Sequence, residues 1–200
     1  MKLSDLLDKK LIITNLRAKD KNGALREIVG LLYKAGKITD QKALFKALLK
    51  REAVDTTALG QGVSFPHARI DGLKEPVALL AVSKRGVDFK AKDGHPVYLF
   101  FLFLTPAEET ELHLQILSEA SAIFTDKVLY HSLRKARTPD IALSLLLHHE
   151  KGGKEVFFPL PVEEIYEELG TSPAGLSEDE AQRRFDRYGP NVLKEVKRKP

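Results

Sequence analysis

The sequence predicts an α/β domain over residues 1–150, a mixed sheet flanked by helices on both sides, followed by a small C-terminal helical appendage. Three observations carry this reading. Two continuous apolar runs, Val77–Val82 and Val97–Leu104, are short and bounded by Gly or Pro, as strands buried on both faces are. Segments of helical periodicity lie on both sides of those runs in the chain, and strands interleaved with helices make an α/β layer structure. Finally, Lys151-Gly152-Gly153 and Phe157-Phe158-Pro159-Leu160-Pro161 read as a linker over 151–161, with a second helical segment over 162–200.

The elements follow in order. Leu11–Leu16 is a short apolar segment and a candidate strand. Leu25, Ile28, Val29 and Leu32 recur at i, i+3, i+4 and i+7, which predicts a helix ended by Gly36. Thr39 or Asp40 is placed to cap a second helix that buries Leu44, Ala47 and Leu48. From Ala53 to Gly72 the periodicity stops, and this Gly-, Thr- and Ser-containing stretch reads as an irregular, functional segment. Val87–Phe89 is a candidate short strand between the two long ones. Glu108–Phe124 reads as a long helix with Leu114, Leu117, Ser121 and Phe124 on one side. Asp126 and Thr138 read as N-caps, the latter followed by Pro139 at the first helical position, with Ile141, Ala142, Leu145 and Leu146 as the last apolar stripe. In the appendage, Ile165, Tyr166 and Leu169 mark a helix ended by Gly170. Ser177 and Glu180 form a capping box with Leu176 and Ala181 as its staple, and Ala181, Phe185 and Tyr188 form a stripe ended by Gly189-Pro190.

Composition narrows the chemistry. The chain has 200 residues, 43% of them hydrophobic and 30% charged, which is ordinary for a folded protein. It contains no Cys, so disulfides, thiolate metal sites and cysteine nucleophiles are excluded within these residues. The longest apolar run is far below the roughly 20 residues of a spanning helix, and the start, MKLSDLLDKK, lacks an apolar signal region. Both features predict a cytoplasmic protein without a membrane span. Residues 153–200 carry 8 basic and 10 acidic groups, leaving 24 and 18 to the first 152. The basic groups of that body are dispersed and lack the aromatic interleaving of single-strand binders, so nucleic acid is not expected as a partner.

No phosphate-binding P-loop, nucleophile elbow or paired metal-ligand spacing is present, so no metal or cofactor is expected. Among the six histidines, His67 stands out by context, in Gly60-Gln61-Gly62-Val63-Ser64-Phe65-Pro66-His67-Ala68-Arg69. Glycines free the backbone, Pro66 restrains it, and a neutral imidazole is a nucleophile able to accept and release a phosphoryl group. A histidine at an ordinary loop turn is the alternative. His95, His131, His148 and His149 read as surface or cap residues.

Residues 1–150 resemble enzyme IIA of the fructose/mannitol and nitrogen-regulatory branch of the bacterial phosphotransferase system. The resemblance rests on Lys50-Arg51-Glu52, Thr56-Thr57, Gly60-x-Gly62-Val63, Pro66-His67-x-Arg69, the strand Val97–Leu104, and His113-Leu114 with Leu117. It implies a phosphohistidine carrier or switch in which His67 accepts phosphate from phosphorylated HPr, with Arg51 and His113 as its supporting residues. A planar guanidinium and an imidazole N–H both suit a phosphoryl group's oxygens. Without the resemblance, Arg51 reads as a solvated helix-end cation and His113 as a helix-flank histidine. The partners implied are an HPr-like donor and a separate enzyme IIB acceptor, or a regulated transporter or kinase. This sequence departs from the family beside the nucleophile: Ser64 and Phe65 precede Pro66-His67, and Ala68 follows. Phe65 is expected to enlarge the rim of the site and Ala68 to restrict its backbone.

Residues 162–195 resemble the N-terminal cytosolic segment of P-type cation pumps through Glu163-Glu164, Glu167, Leu169-Gly170-Thr171-Ser172-Pro173, Gly175-Leu176-Ser177, Ala181 and Tyr188-Gly189-Pro190-Asn191. The pump's D-K-T-G motif is not in the sequence. This second resemblance implies an alternative function, a non-catalytic regulatory module of a cation-transporting P-type ATPase. It also raises the idea that the phosphorylation state of His67 is read by ion transport.

Overall fold

The two apolar runs become the middle of a five-stranded mixed sheet in the computed structural model, which describes residues 2–152 and 162–189. Strand β1 (Ile12–Ile13) forms one edge, parallel to β4 (Val77–Val87). β4 runs antiparallel to β5 (Val97–Pro106), and the other edge of β5 carries β2 (Val63–Ser64) and β3 (His67–Ile70), both parallel to it. The candidate strand over 11–16 shrinks to two residues. Asp8 caps a tight turn over Lys9–Leu11, and beyond the strand the edge continues only through separate contacts. These are the Leu16 N–H bond to the Val82 carbonyl and a bridge of Asp20 to Asp88, in which the Asp88 N–H donates to the Lys19 carbonyl and the Lys21 N–H to the Asp88 carbonyl. Val87–Phe89 is not a separate strand either. Val87 closes β4 after a register shift, and Phe89 is buried against Phe100 at 5.2 Å between ring centres.

Helices cover both faces. Helix α1 (Lys21–Lys34) is capped by Asp20, and α2 (Gln41–Val54) by the carboxylate of Asp40, which accepts from the N–H groups of Lys42 and Ala43. Their apolar stripes join Leu79, Ala81, Phe100, Leu102 and Leu104 in one core. Alternation along β4 and β5 sends the intervening side chains to the opposite face. There Phe101 meets Phe124 of α3 (Thr110–Phe124) at 5.0 Å. Helices α4 (Lys127–Lys135) and α5 (Pro139–Glu150) start at the Asp126 and Thr138 caps and complete the unit. The stripe of α3 is turned from the one expected. His113, Ile116, Ala120 and Phe124 are buried, whereas Leu114 is 59% exposed. Two adjacent stripes of this helix both recur every three to four residues, and contact with β5 selects between them.

The chain divides into two compact units, 1–159 and 160–200. The second contains α6 (Val162–Leu169) and α7 (Glu178–Tyr188), with Gly170 at φ +59° after the first and Ser177 Oγ accepting from the Glu180 N–H at the start of the second. Leu176, Ala181 and Phe185 are exposed, so the expected staple is not buried, nor are the first two residues of the expected stripe. Most of the expected linker, including Phe157 and Phe158, lies outside the described residues, as do Pro190, Asn191 and the basic end of the chain. No helix among the described residues is long and apolar enough to cross a membrane.

Candidate functional site

The segment expected to be irregular turns into the edge of the sheet. Val63 lies opposite Leu99 and His67 opposite Phe103, so β2 and β3 keep one register against β5 and are interrupted only by Phe65-Pro66. Proline is tolerated at such an edge because no ladder hydrogen bond requires its missing N–H. Its carbonyl still accepts from the Phe103 N–H. His67 is therefore the first residue of a strand rather than a loop tip. Strand alternation puts His67 and Arg69 on the side of Phe103 and Thr105, the face that α3 covers, and sends Ala68 into the core beneath α1 and α2. The Ala68 methyl group thus fills core space on an extended strand and imposes no restriction. Phe65 does not widen the rim: it is buried, 6.5 Å from Phe124, and it is its carbonyl that serves the site.

That carbonyl lies 2.8 Å from His67 Nδ1. A carbonyl only accepts, so Nδ1 carries the ring proton and Nε2 holds a lone pair. Arg51, in the last turn of α2, reaches around the edge strand and donates from Nε to His67 Nε2 at 2.9 Å, and from Nη1 to the Asp55 carbonyl at 3.1 Å. The imidazole stacks on Phe103 at 5.3 Å and meets the His113 ring edge-on at 5.0 Å. Nδ1 of His113 is 2.7 Å from the hydroxyl of Thr105. The structure thus gathers His67, Arg51 and His113, the three residues singled out in the sequence. They line a depression of about 390 Å³ with Lys50, Arg69 and Thr110.

Electrostatics keep both rings neutral at neutral pH. Burial lowers the His67 pKa below its usual 6.5, and the Arg51 cation adds to this, against the opposing Phe65 hydrogen bond and Glu52 charge. His113 is lowered further, to about 4, by burial first and then by His67, Arg69 and Arg51. A neutral nucleophilic imidazole among Lys50, Arg51 and Arg69 suits an anionic group that arrives from outside. Among the described residues, no group of three or more His, Asp or Glu is placed to hold a metal ion.

Sequence reasoning singled out the glycines before His67 but assigned no role to Glu52 or Arg69, which support this arrangement. Glu52 is buried and accepts from the Thr57 N–H and hydroxyl, the Thr56 hydroxyl and Lys21 Nζ at 2.6–3.1 Å. It ties the segment leading to His67 back onto α2, and its signal was its spacing, four and five residues before two threonines. Gly62, at φ +76°, passes so close to Tyr130 that a Cβ there would lie 2.3 Å from the phenol oxygen. Arg69 donates to the Thr110 hydroxyl at 3.0 Å, and its position two residues beyond His67 in a strand was the available clue. Of the remaining histidines, His95 and His131 are exposed and His148 and His149 half-buried on α5.

Comparison with known proteins gives this geometry a family. Residues 5–149 match the family model of the phosphoenolpyruvate-dependent sugar phosphotransferase system, EIIA 2. Residues 158–200 match a second model, the cation transporter/ATPase N-terminus, over a short stretch only. The fructose-specific EIIABC component of the phosphotransferase system from Bacillus subtilis is 33% identical over 151 residues, covering 76% of this chain and 24% of that protein. The chain therefore spans about a quarter of that relative's length. A nitrogen regulatory protein from Bradyrhizobium diazoefficiens is 34% identical over 148 residues, 73% of this chain and 95% of its own. The crystal structure of nitrogen regulatory protein IIA-Ntr from Neisseria meningitidis superposes with a TM-score of 0.67 at 29% identity, covering 72% of this chain and 98% of that one. With its sheet unit matched almost end to end, the chain belongs to the EIIA 2 family of the phosphoenolpyruvate-dependent sugar phosphotransferase system.

Proposed function

We propose that this protein is a phosphohistidine carrier or regulatory switch that takes a phosphoryl group from an HPr-like phosphocarrier onto His67 Nε2. It passes that group to a separate enzyme IIB, or signals through its phosphorylation state to a regulated transporter or kinase. The observation that carries the reading is the pair of contacts on one ring: Phe65 holds the proton at Nδ1, and Arg51 caps the lone pair at Nε2.

The step balances without a proton leaving the site. The Nε2 lone pair of His67 attacks phosphorus, the new P–N bond forms in line with the P–N bond to the donor's imidazole, and that nitrogen departs with the electron pair. One imidazole replaces another. Arg51 must release Nε2 for attack, and its guanidinium then serves the phosphoryl oxygens that arrive at the same place. Lys50, Arg69 and His113 line the same depression and supply further cationic or N–H partners.

Incubation with phosphorylated HPr should yield an acid-labile, base-stable adduct on His67, and none in the folded His67→Ala chain. Full labelling of that variant would overturn the assignment.

The match over 158–200 favours a second reading, that the chain is a non-catalytic regulatory module of a cation-transporting P-type ATPase. Hydrogen exchange over 162–189, with and without phosphate on His67, bears on the link to ion transport. Equal exchange in the two states removes any signal to the second unit.

A further inference from the structure

We propose that Thr105 is a positioning residue that sets the tautomer of His113, so that Nε2 of His113 donates its N–H to the phosphoryl group received by His67. The inference rests on the phosphocarrier reading but makes a claim of its own about a residue under the site.

Thr105 lies on β5 opposite Arg69 and is fully buried. It cannot touch an incoming group, and whatever it does to the site runs through the ring above it. Its hydroxyl is 2.7 Å from His113 Nδ1, and among the described residues it has no other hydrogen-bond partner. Two arrangements are open to such a pair: the hydroxyl donates to Nδ1, or Nδ1–H donates to the hydroxyl. The second leaves the hydroxyl proton buried without an acceptor, a state that folded proteins avoid because nothing replaces the lost water. Thr105 is therefore the donor and Nδ1 the acceptor.

A neutral imidazole that accepts at Nδ1 carries its proton on Nε2. The ring is neutral, because burial and the neighbouring His67, Arg69 and Arg51 hold its pKa down to about 4. With Nδ1 turned to the strand, Nε2 is the nitrogen left for the depression that His113 shares with His67, Arg51 and Arg69. The pocket then holds two imidazoles of opposite tautomer. His67 presents a lone pair at Nε2, and His113 presents a hydrogen there. A phosphoryl group bonded to the first finds a donor in the second, without a further positive charge that three nearby cations would oppose. Threonine suits the task, since its β-branch restricts χ1 on a strand and keeps the hydroxyl aimed at the ring.

The test uses the full chain with ring-15N histidine, in parallel with phosphoryl transfer from phosphorylated HPr. The unsubstituted protein and Thr105→Ser should both show His113 protonated at Nε2. Thr105→Val, which keeps the shape and loses the hydroxyl, should lose the single tautomer and transfer phosphate about tenfold more slowly, with Thr105→Ser restoring most of the rate. An Nδ1–H ring in the unsubstituted chain overturns the proposal, as does a Thr105→Val chain that keeps the parent tautomer or the parent rate. If the Val variant fails to fold, the unsubstituted spectrum and the Ser variant decide. Failure of the unsubstituted chain to take phosphate at all would overturn the carrier reading instead, and the ring spectra would still decide the role of Thr105.

Discussion

His67 on the edge strand and His113 on α3 are both buried, share one pocket, and touch the same Phe103 ring, yet their Nδ1 atoms have opposite partners. Nδ1 of His67 faces a backbone carbonyl, which only accepts. Nδ1 of His113 faces a hydroxyl whose own proton has nowhere else to go. The chemistry of an imidazole at one ring nitrogen is thus decided by the hydrogen bond that the other makes. One strand and one helix carry the same residue type and present a nucleophile in one case and a donor in the other.

The sharpest way to break this comparison is to remove each ring in turn. His67→Ala should abolish phosphorylation, whereas His113→Ala should leave His67 labelled at a rate lowered roughly 10- to 100-fold. Equal loss in both variants would mean that the two rings are not divided into nucleophile and donor. Next comes the support on the His67 side. Glu52→Ala strands Lys21 and the Thr57 donors in partly or fully buried surroundings, and should lower unfolding stability in urea by about 3 kcal/mol. A loss below about 1 kcal/mol would show that the segment before His67 holds its shape without that carboxylate. Arg51→Ala should slow transfer by about 10- to 100-fold, with only partial recovery in Arg51→Lys, because lysine lacks the planar fork. Transfer at the parent rate would reduce Arg51 to a solvated cation.

The smallest effect is a pH slope. Both rings have folded-state pKa values below 6.5, so as pH falls below about 6.5 the unfolded chain binds protons before the folded one does. The contribution is complete above that pH and is lost on the way down, through about 4 for His113. Urea midpoints measured between pH 7 and 4 should therefore drop more steeply for the parent than for His113→Gln. Parallel slopes would place His113 in contact with solvent rather than beneath the pocket rim.

Much of the local structure was legible before any coordinates. The caps at Asp40, Asp126, Thr138 and Ser177 all receive the N–H bonds expected of them, since a cap depends on residues two or three positions away. The continuous apolar runs became strands covered on both faces. The three residues carried over from the family resemblance lie together, although Arg51 and His113 read alone as a surface cation and a helix-flank residue.

What failed in the sequence reading failed for one physical reason. The stretch 53–72 looks irregular because β2 and β3 have no pattern of their own. They are strands only because β5, more than thirty residues later, offers a free edge in register. The α3 stripe was misjudged because two neighbouring stripes satisfy the same period, and only contact with β5 separates them. Phe65 looked like a rim residue, and only the packing of Phe124 draws it inward. The sequence by itself determined the helices, their ends, the central strands and the glycine-bearing approach to His67, because those depend on periodicity and φ within a few residues. Tertiary structure decided what meets His67 Nε2 and His113 Nδ1, because Arg51 and Thr105 reach those rings only once a helix end, an edge strand and a central strand have met, whereas the carbonyl that holds the proton on His67 Nδ1 lies only two residues before it.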